Sequence, residues 1–262
     1  MKCLFSFDKI GKDGLWLILI LCLLYIPFSS AQTSNSFEAA TVAFAKGDFK
    51  NAIQSYEAIL AGGMEGEALY YNLGNSYYKD NQLGKAILNY ERALLLDSGD
   101  DNTKINLQIA KYKVKGEIDP IPPFFLRSWW NSARNLLGAN IWGIIALLFF
   151  WGAMAGLSLW QIRKDKDQKK KGFLAGSSLL LLTVIPFSLA WSAYQYQQNT
   201  NEGVLITTTA SLKSGAAENS AEIRIIYEGT SLEMMDQINI WHKVRLENGE
   251  IGWLNEKSFE EI

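Results

Sequence analysis

The sequence predicts a multidomain chain: an all-α helical-repeat domain, a two-helix transmembrane hairpin and a small all-β barrel. Three observations predict it. Residues 161–171 (QIRKDKDQKKK) hold six cations and two anions between two uncharged apolar runs. Shifting the N-terminal part of the chain on itself by 34 residues aligns small and aromatic positions without a gap. The C-terminal stretch alternates apolar and polar residues in short runs separated by turn residues, the period of half-buried strands.

Segment 1–31 comes first. Lys2, Lys9 and Lys12 precede the 14-residue apolar run Leu15–Phe28, and Ser29-Ser30-Ala31 follows it. A basic n-region, a short h-region and small residues read as a signal peptide, cut near Ala31–Gln32. An uncleaved anchor leaves the topology the same. Bulky Leu21 before Cys22 speaks against a lipoprotein signal. Cys3 and Cys22 are the only cysteines, so the cut chain is expected to carry no thiol and no thiolate-metal or disulfide chemistry.

Segment 33–116 follows. The 34-residue shift pairs Ala39 with Leu73, Ala40 with Gly74, Ala43 with Tyr77, Gly47 with Asn81, Ala52 with Ala86 and Tyr56 with Tyr90. Small residues at Ala40, Ala52, Gly74 and Ala86 let antiparallel helices approach. Large ones at Phe44, Phe49, Tyr56, Tyr77, Leu83 and Tyr90 fill the space between. Two units are complete, and Asp101–Lys115 supplies one more helix, read as the cap on the last repeat.

The run Tyr70-Tyr71-Asn72-Leu73-Gly74-Asn75-Ser76-Tyr77-Tyr78, with Ala86, Tyr90 and Ala93-Leu94, resembles the tetratricopeptide repeat, strongly over 67–100 and moderately over 33–66. Ser98 stands where that family usually has proline. The resemblance implies binding of extended peptides in a concave groove. It places Tyr71, Asn75, Tyr78 and Lys79 on that groove, Asn75 matching an asparagine that holds peptide backbone. The other reading of these residues is packing between repeats. Too few cations line this face for a two-carboxylate clamp.

Segment 117–138 links the repeats to the membrane. Asp119-Pro120-Ile121-Pro122-Pro123 cannot continue a helix and is stiff and extended. In Phe124–Gly138, Leu126, Trp129, Trp130, Ala133, Leu136 and Leu137 share one helical face, and Arg127, Ser128, Asn131 and Arg134 the other. This reads as a helix lying along the bilayer surface, or else as an extension of the first span.

Segments 139–160 and 172–194 are each uncharged and long enough to cross the hydrocarbon core. Trp142, Trp160, Trp191 and Tyr194 sit near their ends, at the depth that amphipathic rings favour. Gly152, Ala153, Ala155 and Gly156 form a small-residue face, for packing within the hairpin or against another membrane protein. The net +4 loop 161–171 is expected to stay in the cytoplasm, because Lys/Arg bias sets orientation. Both flanking pieces then lie outside. In a bacterium this is a multi-pass protein of the inner membrane with periplasmic globular domains.

Segment 203–262 is the β domain. The linker Gln195–Glu202 spans at most roughly 27 Å at about 3.4 Å per residue, so the domain is tethered against the membrane. Strands are expected at Val204–Thr209, Ile223–Tyr227, Ser231–Met235, Ile240–Leu246 and Glu250–Leu254, with an Asn248-Gly249 hairpin turn. Ser211-Leu212-Lys213-Ser214-Gly215, Glu228-Gly229-Thr230, Trp241-His242-Lys243-Val244 and Gly252-Trp253-Leu254 resemble bacterial SH3-type domains. That resemblance implies an SH3-like barrel and peptidoglycan or peptide ligands. Trp241 and Trp253 are then either an aromatic platform or core residues.

Charge excludes one class of partner. Segment 32–119 has twelve acids and nine bases, and segment 194–262 has eleven acids and five bases. Neither offers the basic footprint of a nucleic-acid binder. The lone His242 has no companion carboxylate, thiol or nucleophile pattern, and no phosphate loop, HExxH or CxxC occurs. The chain reads as non-enzymatic, with no cofactor and no metal.

The order of segments resembles the BatE-type proteins of the Bacteroides aerotolerance (Bat) operons. The resemblance implies partnership with other Bat proteins bearing von Willebrand A domains and with a MoxR-type ATPase, in envelope stress tolerance. The expected role is a membrane-anchored scaffold that binds partner proteins or peptides. A peptidoglycan-binding or envelope-sensing module is the alternative. The two exterior pieces, held at one membrane face, are expected to touch each other or a shared partner.

Overall fold

A computed structural model describes residues 33–116, 118, 121–122, 124–198 and 201–262. The segment read as a signal peptide, with both cysteines, lies outside the described residues, as do Asp119, Pro120 and Pro123 of the link.

Five helices open the chain: α1 (Thr33–Ala45), α2 (Phe49–Ala61), α3 (Glu67–Lys79), α4 (Leu83–Leu96) and α5 (Asp101–Tyr112). The 34-residue period governs all of them. Helices α1, α3 and α5 begin at Thr33, Glu67 and Asp101, and α2 and α4 at Phe49 and Leu83. Helix α5 is therefore in phase as the first helix of a third unit. Gly47 and Asn81, the paired turn positions, both adopt left-handed backbone with φ of 80° and 60°, which only glycine and, less readily, asparagine take cheaply. Asp48 then caps α2 by accepting the Asn51 N–H at 3.4 Å, and Asp100 caps α5 through the Asn102 and Thr103 N–H groups at 3.2 and 2.9 Å.

Packing follows the small-and-large pattern. Ala40, Ala52 and Ala86 are fully buried, as are Tyr56 and Tyr90. A Cβ on Gly74 would lie 2.8 Å from the Tyr90 ring, so α3 and α4 approach only because that position has no side chain. Each fully buried large apolar side chain contributes about 1.5–3 kcal/mol of transfer free energy.

After the link come α6 (Phe125–Leu136), α7 (Ala139–Ile162) and α8 (Lys166–Gln198). Helices α7 and α8 are long and apolar enough to cross a membrane, by length and composition. They touch through backbone: a Cβ on Gly156 would lie 2.8 Å from the Gly176 Cα, and one on Gly172 would lie 2.9 Å from the Gly156 carbonyl oxygen. Gly156 and Ala153 are thus spent within the hairpin, while Ala155 is exposed. The matching face on α8, Gly172 and Gly176, is one the sequence reading did not single out. The cationic loop is shorter than expected. Only residues 163–165 are non-helical, because Lys and Gln are good helix formers and the Asp165 carboxylate starts α8 by accepting the Gln168 N–H at 3.3 Å.

The C-terminal part is one antiparallel sheet of β1 (Glu202–Leu205), β2 (Thr209–Lys213), β3 (Glu222–Tyr227), β4 (Ser231–Ile238), β5 (Trp241–Leu246), β6 (Ile251–Asn255) and β7 (Phe259–Glu261). The strand order is β3-β2-β6-β5-β4-β1-β7. Its buried cluster comprises Leu205, Leu212, Ile226, Leu232, Val244, Leu246, Leu254 and Phe259. The expected strand Val204–Thr209 breaks at Leu205, where the chain turns, and β2 and β7 are additional. At the β5–β6 turn only Gly249 takes positive φ, 82°. The Gly249 N–H reaches the Leu246 carbonyl at 2.9 Å, and the Leu246 N–H reaches the Glu250 carbonyl at 2.9 Å. That is a three-residue loop with a glycine bulge, not the two-residue turn expected from Asn-Gly.

The sheet docks on the repeats. Val204 belongs to the repeats' own buried cluster, with Ile206, Ile262 and Val114 packed against it. The Gly84 N–H donates to Glu228 Oε1 at 2.8 Å. The Arg92 guanidinium donates to the Glu261 carbonyl at 2.6 Å. A Cβ on Gly229 would lie 2.8 Å from both Ile87 Cδ1 and Val114 Cγ2, and Gly229 has φ 87°. A two-and-a-half-unit solenoid ends on α5 and leaves part of α4 uncovered; here β1 and the neighbouring edge strand β7 cover it.

Candidate functional site

Helical spacing puts Tyr71, Asn75 and Tyr78 on one side of α3, the side facing α5. Tyr71 stacks at a tilt on Tyr90, 6.3 Å between ring centroids. The Tyr90 hydroxyl donates to Asn75 Oδ1 at 2.8 Å. Asn106 Nδ2, from α5, donates to the same oxygen at 2.9 Å and to the Tyr71 hydroxyl at 3.2 Å. Burial first, then the neighbouring Tyr71 and Tyr78, push the Tyr90 hydroxyl pKa far upward. Tyr90 is therefore a neutral donor, and with Asn106 it turns the Asn75 oxygen inward. The Asn75 amide nitrogen has no protein acceptor among the described residues. This polar network fixes the Asn75 amide through its oxygen and leaves its N–H group available, an arrangement suited to holding the backbone carbonyl of an extended chain.

Residues 67–100, which include all of α3 and α4, match the tetratricopeptide repeat family. No curated protein matches the chain. Repeats of that family typically serve protein–protein interaction, and the matched span holds Tyr71, Asn75, Tyr78 and Lys79.

Lys79 is exposed in the last turn of α3. The Lys113 ammonium sits 4.3 Å from the Tyr78 ring centroid, a cation–π distance. Asn106 and Lys113 escaped sequence reasoning. Extending the repeat phase once more, so that α5 faces α3, is the signal that finds them.

Trp241 and Trp253 share the face of β5 and β6 opposite the sheet's buried cluster. The register pairs Lys243 with Trp253 and Lys213 with Trp253, and side chains alternate along a strand. Neither tryptophan belongs to the buried cluster. Trp241 is only 8% exposed, with the Lys213 ammonium 5.8 Å from its ring centroid. Trp253 is half-buried. His242 lies on the other side, edge-on to Phe259 at 5.0 Å.

A charged joint lies where α8 delivers the chain into β1. The Lys111 ammonium is 2.7 Å from Glu91. Burial alone pushes this ammonium down, but Glu91, Glu247 and Glu202 together hold it above its ordinary value. Burial, with help from Glu91, raises the Glu202 carboxyl, which accepts the Tyr196 hydroxyl at 3.2 Å. Trp130 donates to Ser192 at 3.1 Å, so it turns toward α8 and leaves the apolar face expected of it. Phe125, Leu126, Trp129 and Leu136 remain exposed on α6.

Proposed function

We propose that this chain is a non-enzymatic, membrane-anchored scaffold whose repeats hold a segment of a partner protein. The observation that carries it is the Asn75 amide, whose oxygen is held by Tyr90 and Asn106 and whose N–H group has no protein acceptor among the described residues. The wider reading places a signal peptide at 1–31, spans at 139–160 and 172–194, and the cationic tip at 161–171 in the cytoplasm. Residues 33–116 and 203–262 then lie in the periplasm of a bacterial inner membrane. Charge asymmetry supports that orientation. An SH3-like barrel at 203–262 is supported by the short 3-10 turn Glu256–Ser258 before the last strand and by the hairpin order. The exposed face of α6 supports contact with the bilayer surface. The order of segments supports a place beside other Bat-type membrane proteins in envelope stress tolerance.

Tyr71→Ala combined with Asn75→Ala is expected to abolish co-purification of partner proteins with the membrane-extracted chain. Lys79→Glu, at an exposed position, should weaken it without touching the fold. Unchanged recovery of every partner with both variants would refute the groove.

A second reading follows from the half-buried Trp253 ring, of the kind that stacks on sugars, on the face it shares with the buried Trp241. On that reading the full chain, in detergent, is retained on isolated peptidoglycan sacculi, and Trp253→Ala loses retention. Wild-type chain passing through unretained removes this reading.

A further inference from the structure

Beyond the groove lies a second cleft, formed only because the sheet docks on the repeats. It encloses about 370 Å³ and is lined by Tyr78, Asn81, Lys113, Lys115, Thr208 and Tyr227, among others. Tyr78, one helical turn on from Asn75 in α3, lines this cleft, and Lys113 sits over its ring. An extended segment lying along α3 past Asn75 therefore runs on into this cleft.

Its chemistry differs from that of the groove. Two lysines stand within it. One carboxylate, Glu228, also lines it, but its Oε1 already accepts the Gly84 N–H at 2.8 Å. Thr208 and Thr209 are exposed at the mouth and offer hydroxyl donors. This is a locally cationic spot on two pieces that are each net acidic. One wall is closely packed. A Cβ on Gly116 would lie 2.6 Å from the Tyr227 ring, so the segment carrying Lys113 and Lys115 is pressed against β3. The volume suits one side chain with its backbone, and the polar lining does not suit an acyl chain.

We propose that this cleft is a subsite for an acidic side chain of the same extended peptide that the groove holds. The proposal rests on the groove reading. Lys113 and Lys115 supply charge-assisted hydrogen bonds to the carboxylate, and Tyr227 packs against its stem. Selectivity for acidic segments then arises from the sheet and the repeats together.

The test uses the full chain in lipid nanodiscs and a displayed library of randomised nonapeptides. Wild-type protein should enrich Asp or Glu at one fixed position. In the best peptide, changing that residue to Asn or Gln should weaken binding about tenfold, the scale of one lost charged hydrogen bond. With Lys113→Ala/Lys115→Ala the same change should matter less than about twofold, because the interaction partner is gone. Lys115→Glu, at an exposed position, should turn the preference toward basic residues. Peptides that need Tyr71 and Asn75 but show no acidic preference overturn the subsite and leave the groove standing, as does an equal tenfold loss in the lysine variant. If wild-type protein enriches no peptide, both fail. If inorganic phosphate at millimolar concentration competes for the cleft without any effect on peptide preference, the site is for free anions and the proposal is wrong.

Discussion

Tyr90→Ala is expected to destabilise the second and third repeat units by about 3–5 kcal/mol, the range for emptying a buried aromatic site. Tyr90 is 1% exposed and touches both neighbours. Its ring closes on Gly74 of α3, where no side chain can expand to fill the space left behind. Its hydroxyl holds Asn75. Truncation leaves a cavity and releases that amide at once. Tyr90→Phe separates the two effects. It keeps the ring and removes one hydrogen bond, for a loss of about 1 kcal/mol. Asn75 then keeps only Asn106 as donor and gains rotational freedom. Hydrogen exchange on the detergent-solubilised chain reads the difference. The alanine variant should lose protection throughout α3, α4 and α5, while the phenylalanine variant keeps protection and loses partner affinity. Equal protection in wild type and Tyr90→Ala would show that the ring is not a keystone of the repeat. Unchanged affinity in Tyr90→Phe would show that Asn75 needs no such support.

Much of this arrangement is legible in residue spacing. A 34-residue period places Ala40, Ala52, Gly74 and Ala86 at helix crossings because a crossing tolerates only small side chains, and that constraint is local to each helix pair. The period also contains α5, whose Leu107 repeats the buried Leu73. A helix read as a terminal cap is expected to be polar outside, yet Ile105, Ile109 and Tyr112 are exposed there. The residues that α5 contributes to the Asn75 network were not legible from α3 alone. Asn106 reaches Asn75 across 31 positions of sequence, and no periodicity within one helix announces such a contact. The docking of the sheet is further from sight. Gly84 and Glu228 are 144 positions apart, and a glycine near a helix start reads as a weak helix former until a strand is seen against it. Trp130 shows the same limit: helical spacing places it beside Trp129, but Ser192 of α8 draws its indole N–H aside.

Gly84→Val should pry the sheet off the repeats. A Cβ at this position would lie 2.4 Å from the Leu205 carbonyl oxygen and 3.1 Å from the Ile206 Cα. Both are backbone atoms and cannot rotate away as a side chain could, so overpacking here costs about 1–3 kcal/mol or more. The sign of the alanine variant is diagnostic. Within an isolated helix, Gly→Ala gains about 1 kcal/mol. In the docked chain, Gly84→Ala should instead destabilise the contact between α4 and β1. The Glu228 hydrogen bond to the Gly84 N–H, the Val204 contact and the Arg92–Glu261 bond share one interface, so they should fail together. The sheet has its own buried cluster and should stay folded. Exchange protection in β4 and β5 is then retained, while the first turn of α4 opens, β1 and β7 lose only the protection that α4 gave them, and α1–α2 stay as they were. The consequence for binding follows from the geometry. Without docking, Tyr227 and Thr208 no longer stand against Tyr78 and Lys113, so acidic preference should weaken while Tyr71- and Asn75-dependent binding survives. A Gly84→Val chain with wild-type protection in β1 and an intact preference for acidic peptides would mean that the two pieces are not coupled through α4.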